Sequence, residues 1–262
     1  TRFKCDWSSD VCSSDLEKIW TNTPIHRAPD ALLGMDLVRI ALERGEDADG
    51  ALAALTSALA EHGQGGNGEF EHPEAYCSSF LVVDPHGGWQ VETRGSSWVA
   101  APIHDAVAIS NRVSIRTEWT RSSVDVEPGT DVDSWRHPSV DPAIADVRLA
   151  VTRPRIADGR PIDAAALASL LRDHAGAPWG QPGRTGSVPV PGPPRAGFED
   201  LSVCMHLPGV SVTTASMIAF LPSDPTRPVE AWCAIGSPCA SVFVPVDPAA
   251  PPAFLEIGRA HV

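Results

Sequence analysis

Between residues 32 and 62 the apolar positions recur at helical spacing. Leu32, Leu33, Met35, Leu37, Val38, Ile40, Ala41 and Leu42 make one wide face, and Leu52, Leu55, Ala58 and Leu59 a narrower stripe. Asp30, and then Asp47 or Asp49, stand where N-caps belong; Gly45 and Gly63 stand where helices stop. The spacing predicts two helices joined as a hairpin, able to cover one face of a sheet. From residue 78 the period changes to two. Strands are predicted over 78–84, 88–93, 97–101 and 107–112, and the short joints Pro85-His-Gly-Gly88 and Arg94-Gly-Ser96 make them an antiparallel meander. Trp89 and Trp98 are placed on a face of that sheet. Glu17-Lys-Ile-Trp-Thr21 reads as the tail of an earlier strand.

Residues 121–138 are polar, acidic and broken by Pro and Gly, and read as loop. Helices are predicted after Asp141-Pro142, with Ile144, Val147 and Leu149 apolar, and after Asp163, with Leu167, Leu170 and Leu171 on the core side. Residues 176–197 are dense in proline and glycine and form an excursion. Strand patterns resume over 201–205, 211–221, 230–235 and 241–246 as a second sheet. The order strand, helices, strands, helices, strands predicts a layered α/β fold of antiparallel sheets covered by helices.

The ends change the bounds. Asp6-Trp-Ser-Ser-Asp-Val-Cys-Ser-Ser-Asp-Leu16 resembles the translation of a sequencing adapter, and Glu256-Ile-Gly-Arg-Ala-His-Val262 the matching adapter read outward. Residues 1–16 and 256–262 are therefore expected to be foreign, and 17–255 to be a single domain incomplete at its N-terminus. With or without the ends the chain is strongly acidic, at a formal charge of −13 for the whole. That argues against nucleic acid or an anionic membrane as partner. No apolar run is long enough to span a bilayer. The compartment expected is the cytoplasm, with the native start, where a signal peptide would lie, expected to be missing.

Cys77, Cys204, Cys233 and Cys239 lack the close paired spacing of a disulfide framework or a zinc ribbon, so reduced, mostly buried thiols are expected. Cys204 and Cys233 lie in apolar runs, where a thiol loses reactivity. The histidines show no HExxH or comparable ligand spacing, so His104 and His206 are read as polar core or rim residues, with no metal expected. No GxGxxG or P-loop pattern occurs, and no cofactor is expected. Ser110-Asn111 interrupts an alternating segment. Asn111 is either a turn residue bonded locally or a donor aimed at an oxyanion. The glycine-rich loop 64–68, with Asn67, either borders a cleft or merely connects. His206, Thr213, Thr214 and Ser216 either line a cleft, or Thr214 and Ser216 face solvent from a strand.

Five segments, in order, resemble the secernins and their bacterial dipeptidase A-like relatives: Leu32-Leu-Gly-Met-Asp-Leu-Val-Arg39, Gly63-Gln-Gly-Gly-Asn67, Ala108-Ile-Ser-Asn-Arg-Val-Ser-Ile115, Thr213-Thr-Ala-Ser-Met217 and Ser241-Val-Phe-Val-Pro245. The resemblance covers nearly all of 17–246 and is weakest at 121–200. It implies an N-terminal nucleophile hydrolase fold, an αββα sandwich of two antiparallel sheets between helix layers. The implied chemistry is hydrolysis of amide bonds in small peptides by an N-terminal cysteine, with its own α-amine as base. That cysteine would lie upstream of Glu17, outside this sequence. The resemblance implies Asn111 as oxyanion donor and Asn67, His206, Thr213, Thr214 and Ser216 as substrate contacts. The alternative it permits is a non-catalytic binding or secretion-associated protein. Oligomeric state stays open.

Overall fold

The computed structural model describes residues 12–22, 31–65, 76–159, 162–174, 201–207, 211–224, 226–248 and 250. They form a mixed α/β chain with helices and antiparallel sheets, grouped into two compact units, Ser9–Ala145 and Asp146–Val262.

In the first unit, strand β1 (Cys12–Ile19) pairs antiparallel with β2 (Cys77–Asp84), which continues into β3 (Gly87–Arg94), β4 (Ser97–Pro102) and a short β5 (Arg121–Ser122), giving sheet order β1-β2-β3-β4-β5. β1 thus begins inside the stretch read as adapter, and its register shifts between Ser13 and Leu16. Helices α1 (Gly34–Arg44) and α2 (Ala48–His62) form the predicted hairpin. They bury Leu37, Ala41, Leu52, Leu55 and Leu59 against Phe80, Val82, Val91 and Ala100, with Trp89 and Trp98 packed at the margin. Each fully buried large apolar side chain contributes about 1.5–3 kcal/mol, so this layer dominates the unit. Strand alternation sends Cys77 and Val99 to the other face, where Ile19, Val113, Ile115, Val132 and Trp135 form a second core.

Helix α1 departs from expectation at its start. Asp30 lies outside the described residues; the helix begins at Gly34, and the Leu33 N–H donates to Asp36 Oδ2 at 3.0 Å. Met35, counted on the apolar face, is 55 % exposed. α2 starts as predicted, Asp47 accepting from the Gly50 N–H at 2.7 Å. The strand expected over 107–112 is absent. The edge of β4 is taken instead by β5, from the segment read as loop, and a 3-10 turn follows at Val132–Trp135. The physical reason lies in Glu92: its carboxylate takes the backbone donors of Ser114 and Ile115, just beyond that segment, and draws the chain off the ladder.

α3 (Ala143–Ile156), most of it in the second unit, and α4 (Ala164–Leu171) occur where predicted, with Asp163 accepting from the Ala166 N–H at 2.7 Å. β8 (Ala215–Phe220), β9 (Glu230–Ile235) and β10 (Val244–Val246) form an antiparallel sheet in the order β10-β9-β8, and β6 (His206–Leu207) pairs with β7 (Ser211–Val212). Residues 201–205 are not a strand, and 211–221 breaks at Thr213-Thr214. Both departures share a cause: Thr213 exchanges hydrogen bonds with Met205 and turns the chain there. The strand expected over 241–246 keeps only its last residues. The 176–197 excursion lies outside the described residues. Among the described residues no helix is long and apolar enough to cross a membrane.

Candidate functional site

The first unit carries a polar patch inside its second core face. Glu92 is fully buried there. Its Oε1 accepts from the Ser114 N–H at 2.6 Å, the Ser114 hydroxyl at 3.0 Å and Gln90 Nε2 at 3.0 Å; Oε2 accepts from the Ile115 N–H at 3.1 Å. Burial pushes this carboxyl up to about 7, against the opposing pull of those donors. Its proton therefore comes off near neutrality, the range useful for proton transfer. Gln90 also donates to the Ser114 hydroxyl at 2.8 Å. Ser79, opposite Glu92, and Ser110 are both buried, and neither hydroxyl has a hydrogen-bond partner among the described residues.

Asn111 sits in the segment that leads into this patch. The Arg112 N–H donates to the Ser110 carbonyl at 2.6 Å, which closes a γ-turn with Asn111 at its apex. Asn111 is half-buried. The backbone of Asn111 is thus that of a turn residue, the first of the two sequence readings.

The remaining candidates lie in the second unit, and the structure divides them. The Thr213 hydroxyl accepts from the Met205 N–H at 2.9 Å, so it is engaged with the backbone. Thr214 is exposed; its carbonyl accepts from the Gly236 N–H at 2.7 Å. Ser216 lies on β8 opposite Ala234. Asn67 lies outside the described residues, while Gln64 before it is buried and donates from Nε2 to the Thr93 hydroxyl and the Gly95 carbonyl, both at 2.7 Å.

His206 has a setting the sequence did not suggest. Its Nε2 lies 3.3 Å from Cys204 Sγ and 3.3 Å from Cys239 Sγ, and its ring centroid is 5.3 Å from that of His174. One ligand-type atom from each of these four residues lies within 4.8 Å of the others, an arrangement able to hold a metal ion. The expectation of no metal rested on local spacing, whereas the fold assembles this group from three separate segments. The one local trace in the sequence is Cys204-Met-His206.

Three of the thiols are poorly suited to nucleophilic attack. Burial raises Cys77, Cys233 and Cys204, the last to about 12 with the Cys239 thiol adding to the shift. No family model matches the chain.

Proposed function

We propose that this chain is the body of an N-terminal cysteine amidohydrolase of the secernin and dipeptidase A-like kind, cleaving the amide bond of small peptides. In this reading the two antiparallel sheets belong to an αββα sandwich. Asn111 donates its side-chain N–H to the tetrahedral oxyanion, and the nucleophile is a cysteine upstream of Glu17. The observation that carries the reading is the Ser110-Asn111-Arg112 turn. Half-buried Asn111 stands at its apex, at the start of a segment whose Ser114 and Ile115 amides are anchored on Glu92. Donors held in place before the reaction are those that stabilise developing charge most. Burial, which raises the Cys77, Cys204 and Cys233 thiols and so lowers their reactivity, favours a nucleophile elsewhere.

The test has two stages. This chain, given dipeptides, shows no turnover; turnover abolished by alkylating Cys77 or Cys204 overturns the reading. The parent reading frame is then recovered upstream of the Glu17 codon and expressed. A cysteine at its mature start, whose replacement by Ala abolishes dipeptide hydrolysis, supports the proposal. In that enzyme Asn111→Ala lowers kcat by about 100- to 1,000-fold. An upstream frame with no such cysteine sinks the mechanism and leaves a binding protein.

A further inference from the structure

The geometry points to a closed, structural transition-metal centre in the second unit, in which His174, Cys204, His206 and Cys239 hold one zinc-like divalent cation through two sulfurs and two imidazole nitrogens. It does not depend on the amidohydrolase reading.

The donor set comes first. His174 follows α4, Cys204 and His206 enter β6, and Cys239 lies in the turn after β9. With Zn–S near 2.3 Å and Zn–N near 2.0–2.1 Å, a tetrahedral site has a sulfur–nitrogen edge of about 3.6 Å. Both sulfur–nitrogen distances at His206 are 3.3 Å, and all four donor atoms fall within 4.8 Å. The two edges at His206 are therefore close to coordination length, and the other donors need to close by at most about 1 Å.

A second observation comes from His174. It is 3 % exposed, and its Nε2 has no hydrogen-bond partner among the described residues. A buried imidazole nitrogen left unpaired costs on the order of 1–3 kcal/mol. On His206, two thiols converge on one nitrogen that carries either one proton or one lone pair. A cation at the centre supplies the missing partner to His174 and replaces the competition at His206.

The surroundings fix the donors. The Cys204 N–H donates to the Asp173 carbonyl at 3.0 Å, which ties the residue before His174 to a ligand. Arg172 Nε donates to the Pro238 carbonyl at 2.8 Å and Nη2 to the Ser241 carbonyl at 3.1 Å, clamping the turn that carries Cys239. The Ser202 hydroxyl donates to the Cys204 carbonyl at 2.6 Å. Such outer bonds orient ligands in metal sites. Cys204 and Cys239 are fully buried and His206 half-buried.

The chemistry of the occupant follows. Two sulfurs and two imidazoles select a borderline-soft ion, zinc or its cobalt surrogate, over calcium or magnesium. Binding releases two thiol protons to solvent, and the two thiolates neutralise the dication. Four protein ligands leave no open position, so the site is structural rather than catalytic. Coordination also keeps Cys204 and Cys239, both free thiols, from pairing as a disulfide.

The experiment uses the full chain, reduced and without a histidine tag. The apo protein is titrated with Co²⁺ and then with Zn²⁺. Expected are one cobalt per chain, the visible bands of tetrahedral cobalt with thiolate-to-cobalt charge transfer, and loss of both on adding Zn²⁺. Alkylation mapped by peptide should find Cys204 and Cys239 protected by Zn²⁺ and labelled after chelation. His174→Ala should lower cobalt affinity by at least about tenfold. The proposal is overturned by a folded wild-type chain that binds no cobalt or shows no thiolate charge transfer. It is equally overturned by a Cys204–Cys239 disulfide that forms in the presence of Zn²⁺. Should the His174 variant fail to fold, the wild-type spectrum and the alkylation map decide. A Cys204→Ser, Cys239→Ser double variant that binds cobalt as the wild type does also refutes the site.

Discussion

Ser79 and Glu92 stand directly opposite one another across β2 and β3, and both side chains are fully buried. A carboxyl group is a costly occupant for such a position, since burial penalises its charged form. Glu92 is accommodated there by the Ser114 and Ile115 amides, which its carboxyl draws off the ladder. The pair is therefore part of how residues 110–115 are fixed, which is what the proposed role of Asn111 requires.

The same burial makes stability depend on pH. Unfolded, Glu92 titrates near 4.5; folded, near 7. Below about 4.5 both states hold the proton and the group contributes nothing. Between about 4.5 and 7 the folded state keeps a proton that the unfolded state has released, so stability falls as pH rises. Above about 7 the penalty is complete, on the order of 3 kcal/mol. Urea unfolding of the wild type and Glu92→Gln across this window isolates the effect, because the amide does not titrate. The difference between the two should change across the window by that order in favour of the variant. A constant difference would remove the assignment.

Asp84 joins two elements at once. Its Oδ2 accepts from the Ala48 N–H at 2.9 Å, at the start of α2. Its Oδ1 accepts from the His86 and Gly87 N–H groups at 2.7 and 3.0 Å, inside the β2–β3 turn. Asp47 caps the same helix through one bond, to Gly50. Asp47→Ala should cost about 1 kcal/mol. Asp84→Ala removes three bonds to a carboxylate, two of them from exposed N–H groups that water takes over, and should cost about 2 kcal/mol. Paired thermal melts test the ordering, and equal losses would mean that Asp84 does not couple helix to sheet.

The helix hairpin packs closely at one glycine. A Cβ built on Gly45 would lie 2.5 Å from both the Cα and the N of Ala51. These are backbone atoms, so α2 itself would have to move. Gly45 has φ −87°, which any residue adopts, so sterics alone set the requirement. Gly45→Ala is expected to destabilise by about 1–3 kcal/mol. Gly63 differs: a Cβ there meets nothing, but φ is +68°. With ψ at −176° it lies in a region kept for glycine, and its Ala variant should lose about 1–3 kcal/mol, through backbone strain only. Crystal structures of the two variants would separate the mechanisms, with α2 displaced in the first and unmoved in the second.

How much of this was legible follows from where the information sits. The α1–α2 hairpin and the β2–β3–β4 meander are written in local periods, 3.6 and 2, and both appear where those periods place them. The 107–112 segment carries a strand period too, but its course is decided by Glu92, 22 residues before Ser114. Local alternation holds no trace of that pairing. The metal-type cluster is harder still, because Cys239 reaches His206 across 33 positions and His174 comes from another element. Ligand spacing detects sites built on one helix or hairpin, not one assembled by tertiary folding. The Thr213-Thr214 break reads as strand because threonine favours strands, and only the hydroxyl's use by Met205 reverses that.

Thr213 offers the last test, and it separates two roles for one hydroxyl. As a substrate contact under the proposed function, its loss would affect catalysis and leave the fold alone. As found, the hydroxyl accepts from the Met205 N–H, and the Thr213 N–H returns a bond to the Met205 carbonyl at 3.0 Å. Met205 lies between Cys204 and His206, so this clasp sets the spacing of two of the four clustered side chains. Thr213→Val keeps shape and removes the acceptor, leaving a backbone donor unsatisfied at a cost of about 1–3 kcal/mol. Thr213→Ser keeps the acceptor and should stay close to wild type. Cobalt binding should weaken in the Val variant and survive in the Ser variant. A Val variant as stable as wild type, with unchanged cobalt affinity, would show that the clasp does not position the cluster.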